Sequence, residues 1–247
     1  MSYRKDIEEG RRFTFGKNWT RFLKDLDEER IMQAEISLKQ MLGIETLDGK
    51  TFLDCGSGSG IFSLAAKRLG AKEVHSFDFD PYSVACTGEL KNRFYSNDTS
   101  WTVEEASVLD AGYMKDLEKW DIVYSWGVLH HTGDMKKALQ NVVFPVRKNG
   151  MLFIAIYNDQ GGKSRRWTFV KKLYNRCPGF LRFLIWLPLI FFMETKALLI
   201  RLVKLQNPLP FKYWKKYKES RGMSKFTDYI DWIGGYPFEV ARPEEIF

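Results

Sequence analysis

The chain has 247 residues, 45% apolar and 28% charged, which supports a sizeable core and excludes wholesale disorder. Its net charge of +7 is uneven: residues 161–225 carry sixteen Lys and Arg against only Glu194 and Glu219, so the remainder is net acidic. Cys55, Cys86 and Cys177 are too few and too dispersed for a disulfide scaffold or a zinc site, so no metal is expected and a reducing compartment is. The start, MSYRKDIEEGRRF, lacks the apolar stretch of a secretory signal, so a cytoplasmic location is expected.

Four regions follow in chain order. Residues 1–46 are expected to form a helical cap, with Ile31, Ala34, Leu38, Met41 and Leu42 at helical spacing and Gly43 as the stop. Phe13, Phe15, Trp19 and Phe22 make an aromatic cluster, either packed on the body or forming a lid over a ligand, with Trp19 as a substrate contact. Residues 47–160 alternate. Strands are expected at 51–55, 73–77, 101–105, 121–125 and 151–157, with helices at 61–69, 81–94 and 135–143. This β-α-β-α-β-β-α-β order predicts an α/β, Rossmann-like, doubly wound parallel sheet of strand order 3-2-1-4-5, with the ligand crevice at the carboxyl ends of the strands. Residues 161–235 form a basic helical insertion, and 236–247 begin a C-terminal helix at Pro243.

The most informative stretch is LDCGSGSG, 53–60, where a strand runs through Asp54 into Gly56, Gly58 and Gly60 and then a helix. Glycine allows tight turns and close backbone approach, and a helix start offers unpaired N–H groups. The dinucleotide spacing G-x-G-x-x-G would need glycine at 61, which is Ile61, and no G-K-[ST] of a P-loop follows. The next strand ends at Asp78, where an acid can accept hydrogen bonds from ribose hydroxyls. Asp80, followed by Pro81, is expected to cap a helix.

LDCGSGSG, SFDFDP, DIVYSWGVLHH and MLFIAIY, in this order and spacing, resemble the class I S-adenosylmethionine-dependent methyltransferases over about residues 50–158, closest to the small-molecule and quinone O-methyltransferase branch. The resemblance implies S-adenosyl-L-methionine as cofactor and S-adenosyl-L-homocysteine as product. It places Asp54, Gly56, Ser57, Gly58 and Gly60 along the methionine portion and Asp78 at the ribose. Ser107 and Val108 would lie at the adenine, with Ser107 standing where the family often has an acid and Asp110 as the alternative. Trp126 would lie beside the sulfonium. The family's C-terminal helix and β-hairpin have no counterpart before the chain stops at Phe247, so either truncation or a five-stranded core is expected.

Methyl transfer needs an aligned acceptor, and a hydroxyl acceptor also needs a base. His130 and His131 follow the fourth strand, at the expected mouth of the crevice, and imidazole titrates near neutrality. Either one is the base, His131 by preference, or the pair orients the loop. Asp134 is expected to cap the next helix, and His75 to pack within its strand. Tyr157 and Asn158, in the loop after the fifth strand, are acceptor contacts or simply a turn. The basic segment 161–225 has three readings. It is a lobe with solvated charges, or a peripheral contact with an anionic membrane suited to a lipid-like acceptor, or, ranked last, a nucleic-acid surface through Phe211–Lys218. Its apolar centre, Phe183–Met193, is eleven residues long and contains Pro188, short of the roughly 20 a membrane span needs. The expected function is methyl transfer to a small-molecule or lipid-like hydroxyl. An RNA methyltransferase or a non-catalytic cofactor-binding module is the alternative, although the Asn/Asp-Pro-Pro-Tyr motif of amino methylation is missing.

Overall fold

A computed structural model describes residues 3–207, 214 and 225–246. Phe211–Lys218, apart from Trp214, lies outside them. The chain divides into two units, Thr14–Gly161 with Phe238–Phe247, and Met1–Phe13 with Gly162–Pro237. The regions drawn from the sequence run differently: the 1–46 cap is shared between both units, and most of 236–247 belongs with the sheet.

The first unit holds a five-stranded parallel sheet of order β3-β2-β1-β4-β5 among the described residues. Its strands are β1 (Thr51–Cys55), β2 (Glu73–Asp78), β3 (Trp101–Glu105), β4 (Trp120–Trp126) and β5 (Val146–Ala155). β1 is central, pairing Leu53 with His75 of β2 and with Val123 of β4. Strand side chains alternate between faces. Phe52, Val74, Ile122 and Tyr124 fill one core with α2 (Gly16–Lys24), α3 (Glu28–Leu42), α4 (Ile61–Arg68) and α5 (Pro81–Tyr95). Leu53, Phe77 and Val123 fill the other with α6 (Ala111–Asp116) and α7 (Met135–Val142). Each such buried side chain contributes about 1.5–3 kcal/mol by leaving water. The connections leaving β1 and β4 pass to opposite faces, into α4 and α7, so the crevice is expected outside the carboxyl ends of these two strands.

Local signals set the helix ends. In α3 the Asp27 carboxylate accepts from Arg30 N–H, Gly43 takes the left-handed turn at the end, and Ile31, Ala34, Leu38 and Leu42 are buried. Asp134 caps α7 through Lys137 N–H. Two expectations are corrected. A short helix, α6, stands between β3 and β4, so the order there is β-α-β. Asp110 is its cap, accepting from Gly112 and Tyr113 N–H. β5 also starts earlier than expected, at Val146, through a register irregularity opposite Trp120–Ile122.

The second unit is helical. Besides α1 (Tyr3–Glu8), it contains α8 (Gly162–Arg176), α9 (Phe183–Val203) and α10 (Lys225–Gly234). α10 packs on α8 and α9. The buried Lys171 donates to the Trp232 carbonyl, its ammonium 4.4 Å from that ring's centroid. α9 runs 21 residues through Pro188, longer than the eleven-residue apolar centre seen in the sequence.

Candidate active site

The glycine loop is built by close approach. Gly56, Gly58 and Gly60 all have positive φ (85°, 57° and 80°). A Cβ at Gly56 would lie 2.4 Å from Val128 Cγ1, and one at Gly60 2.8 Å from Thr87 Cα, so these two glycines let the loop close on the β4 turn and on α5. Gly58 faces outward to the Trp19 indole, whose Nε1 would be 3.2 Å from a Cβ there. Loop and strand end are tied by Asp78. Gly58 N–H donates to its Oδ2 and Asp80 N–H to its Oδ1, both at 2.9 Å. A carboxylate accepts about four hydrogen bonds, so this anchoring is compatible with a ribose diol on the same side chain.

Asp54 and Ser57 lie beneath the loop. Asp54 is buried, and Ser63 Oγ donates to it at 2.5 Å within a chain that continues through Ser76 to Trp101 Nε1. Burial pushes its carboxyl up to about 7, against the Ser63 bond and helped by the nearby Asp78 charge. The Ser57 hydroxyl is bonded to Thr87 Oγ1 at 2.9 Å, and Ser57 N–H donates to Phe77 O. Both side chains are buried and bonded within the fold.

Asp80 caps α5 through Tyr82 N–H, as the sequence suggested, and also accepts from Gly16 N–H at 2.8 Å, holding the start of α2. That second bond was not foreseen, and nothing in the local sequence announces a partner 64 positions away. Ser107 accepts from Leu109 N–H. The Val108 side chain is buried, and its carbonyl accepts from Asn141 Nδ2. Trp126 ends β4 half exposed, its ring 5.8 Å from Phe62. His75 is bonded to Glu104 at 2.9 Å and rests against Phe77 and Trp120.

Beyond β4, Leu129–His131 form one 3-10 turn. His130 is buried, its ring centroid 4.3 Å from His131 and 4.2 Å from Tyr157. His131 is half-buried, 5.0 Å from Phe15 and 5.8 Å from Tyr157. Tyr157 in turn meets Phe238 at 5.3 Å. The two histidines and Tyr157 are therefore brought together, while Asn158 next to them is exposed and bridges in parallel to Ala241. The C-terminal segment braces this cluster. Glu239 N–H donates to His130 O (2.9 Å), and its carboxylate accepts from Met135 N–H (3.1 Å). Burial raises the Glu239 carboxyl above the usual range, with the Met135 and Gly133 N–H groups opposing. Residues 238–241 were missed as functional because their partners lie about a hundred positions away.

A sheet of order 3-2-1-4-5, a glycine loop and an acid ending β2 define a nucleoside-binding α/β protein of the class I methyltransferase type. Residues 26–184 match the model of a methyltransferase domain family, and the chain belongs to that family of S-adenosylmethionine-dependent methyltransferases. Among curated relatives, it is 30% identical over 111 residues to a ribosomal protein L11 methyltransferase of Bacillus cereus (strain Q1), a match covering 40% of this chain and 35% of the relative. The matched region thus spans about a third of that relative's length. Solved structures similar to it include magnesium protoporphyrin IX methyltransferase from Synechocystis PCC 6803 with bound S-adenosylhomocysteine (TM-score 0.47, 18% identity, 66% of this chain and 74% of that one). Another is the YcgJ protein of Bacillus subtilis (TM-score 0.47, 17% identity, 57% and 58%).

The residues fit this donor. Loop 53–60 lacks the glycine spacing of a dinucleotide loop, with Ile61 in place of the third glycine, and the G-K-[ST] of a P-loop. The carboxylate of Asp78 suits a cationic ligand, and Gly58 adds no side chain of its own to the loop beside Trp19.

Proposed function

We propose that the protein methylates a hydroxyl oxygen of a small-molecule or lipid-like acceptor. The observation that carries this reading is the ring cluster of His130, His131 and Tyr157 at the carboxyl end of β4, on the crevice that the glycine loop borders. S-adenosylmethionine supplies an already activated methyl group when bound. The protein then has to align the acceptor and take up its proton. Asp78 would hold the ribose, Gly56, Gly58 and Gly60 would admit the methionine portion, Ser107 and Val108 would border the adenine, and Trp126 would lie toward the sulfonium, where an aromatic face favours a cation. His131, half-buried, would accept the acceptor's proton. His130, enclosed between His131 and Tyr157, would fix its position. Tyr157, Asn158 and Trp19 would contact the acceptor. The proposed location is the cytoplasm, with the basic segment 161–225 touching an anionic membrane surface. A protein acceptor is the second reading, favoured by the name of the curated relative.

Labelled methyl transfer across hydroxyl-bearing acceptors and protein extracts tests the acceptor class. His131→Ala should lower kcat by about 10²–10⁴-fold and leave S-adenosylhomocysteine affinity unchanged. Unchanged turnover in that variant would refute the base assignment.

A further inference from the structure

α9 turns its apolar residues outward. Gly179–Val203 spans 25 residues with a mean hydropathy of 1.9 over its most apolar stretch, of which 6% is buried. Phe180, Leu184, Leu187, Phe191, Phe192 and Val203 are all more than half exposed. At 100° per residue they and their exposed neighbours cover roughly 200° of the helix circumference. A helix packed on a soluble core shows the reverse, with the apolar stripe inward and polar residues facing water.

The charges of the same unit are ordered. On α8, Arg165, Phe169, Lys172, Leu173 and Arg176 fall at i, i+4, i+7, i+8 and i+11, one helical face, and all five are exposed. This interleaving of cations with apolar side chains suits a headgroup boundary. Exposed Lys196 and Lys204 lie on the C-terminal half of α9 and just beyond it. Glu194, an acid of α9, accepts from Lys225 and Tyr229 of α10, with Arg201 4.0 Å away. Its charge is matched within the unit and its half of α9 is held to α10. Gly179–Val203 as a whole is long and apolar enough to cross a membrane, but its second half carries Glu194, Lys196 and Arg201 and is held to α10. The uncharged stretch Phe183–Met193 is about 16 Å long at 1.5 Å per residue, less than the roughly 30 Å of a hydrocarbon core.

We propose that α9, with the basic stripe of α8, is a monotopic membrane element that embeds in one leaflet of an anionic bilayer without crossing it. The partner is lipid because the exposed apolar residues of α9, together with exposed cations of α8 that form no ion pair among the described residues, complement acyl chains beneath anionic headgroups. This deepens the membrane contact proposed above and does not depend on which acceptor is methylated.

Flotation of the full chain with vesicles tests it. The protein should float with phosphatidylcholine–phosphatidylserine vesicles at roughly 7:3 and poorly with phosphatidylcholine alone. Once bound, it should resist about 0.5 M salt, which screens surface charge, and come off in detergent. Acyl-chain-brominated lipid should quench a tryptophan introduced on the exposed face by Phe191→Trp, raising the quenched fraction above that of the wild type. The triple variant Leu184→Gln, Leu187→Gln and Phe191→Gln alters exposed positions, so it should keep its melting temperature and S-adenosylhomocysteine affinity while losing flotation by about tenfold or more. Release by salt alone, flotation untouched by the triple variant, or a discrete oligomer that the variant dissolves without any vesicle binding would each overturn the proposal. Flotation without S-adenosylhomocysteine binding would instead indict the methyltransferase reading, so the two fail separately.

Discussion

Replacing Asp54 by Asn keeps the shape and the acceptor for Ser63 Oγ but removes an ionisable group from the centre of the sheet. Burial pushes this carboxyl up to about 7 in the folded protein, whereas an unfolded aspartate titrates near 3.9. Between those values the native state keeps a proton that the unfolded chain releases. Its contribution is fully present below about pH 4 and is lost as pH rises through 7, at about 1.4 kcal/mol per pH unit, to a ceiling of about 4 kcal/mol. At 3% exposure the side chain has almost no solvent to screen it. Urea unfolding of wild type and Asp54→Asn at intervals from pH 5 to 8 measures the difference. The wild type should lose about 3 kcal/mol relative to the variant across that window, and the variant should be the more stable protein at pH 8. Parallel curves, or a variant less stable at pH 8, would show that Asp54 is ionised in the fold and refute the burial reasoning.

Two further substitutions probe the frame of the site. Gly60→Ala puts a Cβ 2.8 Å from the backbone of Thr87 at a φ of +80°, so thermal melting should show a loss of about 1–3 kcal/mol together with weaker S-adenosylhomocysteine binding; wild-type stability would mean that α5 shifts freely. Asp80→Ala removes acceptors from the first turns of α2 and α5 and should cost about 1 kcal/mol per cap. Proteolysis should then cut sooner near residues 14–25, and an unchanged cleavage pattern would show that α2 is held by its aromatic residues instead.

Much of the sheet was visible in the sequence because its strands are short, apolar and bounded by turn residues. β1 and β3 match their expected limits, and the strand order follows from crossover handedness. α6 is hidden in the sequence because its six residues carry little periodicity and its cap, Asp110, is in sequence equally compatible with a ligand contact. The start of β5 was hidden because Arg147–Gly150 is polar. At the site, the glycine loop and Asp78 were legible, since local backbone chemistry dictates them. The buried bonds of Asp54 and Ser57, the second bond of Asp80 and the brace from Glu239 were not, because each depends on a partner brought close by the tertiary fold. The extent of α9 was missed for a related reason. Glu194 and Arg201 interrupt the apolar stretch in the sequence, yet in the fold Glu194 turns toward α10, Arg201 is buried 4.0 Å from it, and the helix continues past them.

The central claim is that the crevice beside the glycine loop binds an adenosyl ligand through Asp78. Calorimetric titration of S-adenosylhomocysteine into wild type and Asp78→Ala tests it most directly. Micromolar binding that weakens by about ten- to a hundredfold in the variant, the loss of one or two charged hydrogen bonds, is the predicted result. No binding to the wild type, or equal affinity in both proteins, would contradict it.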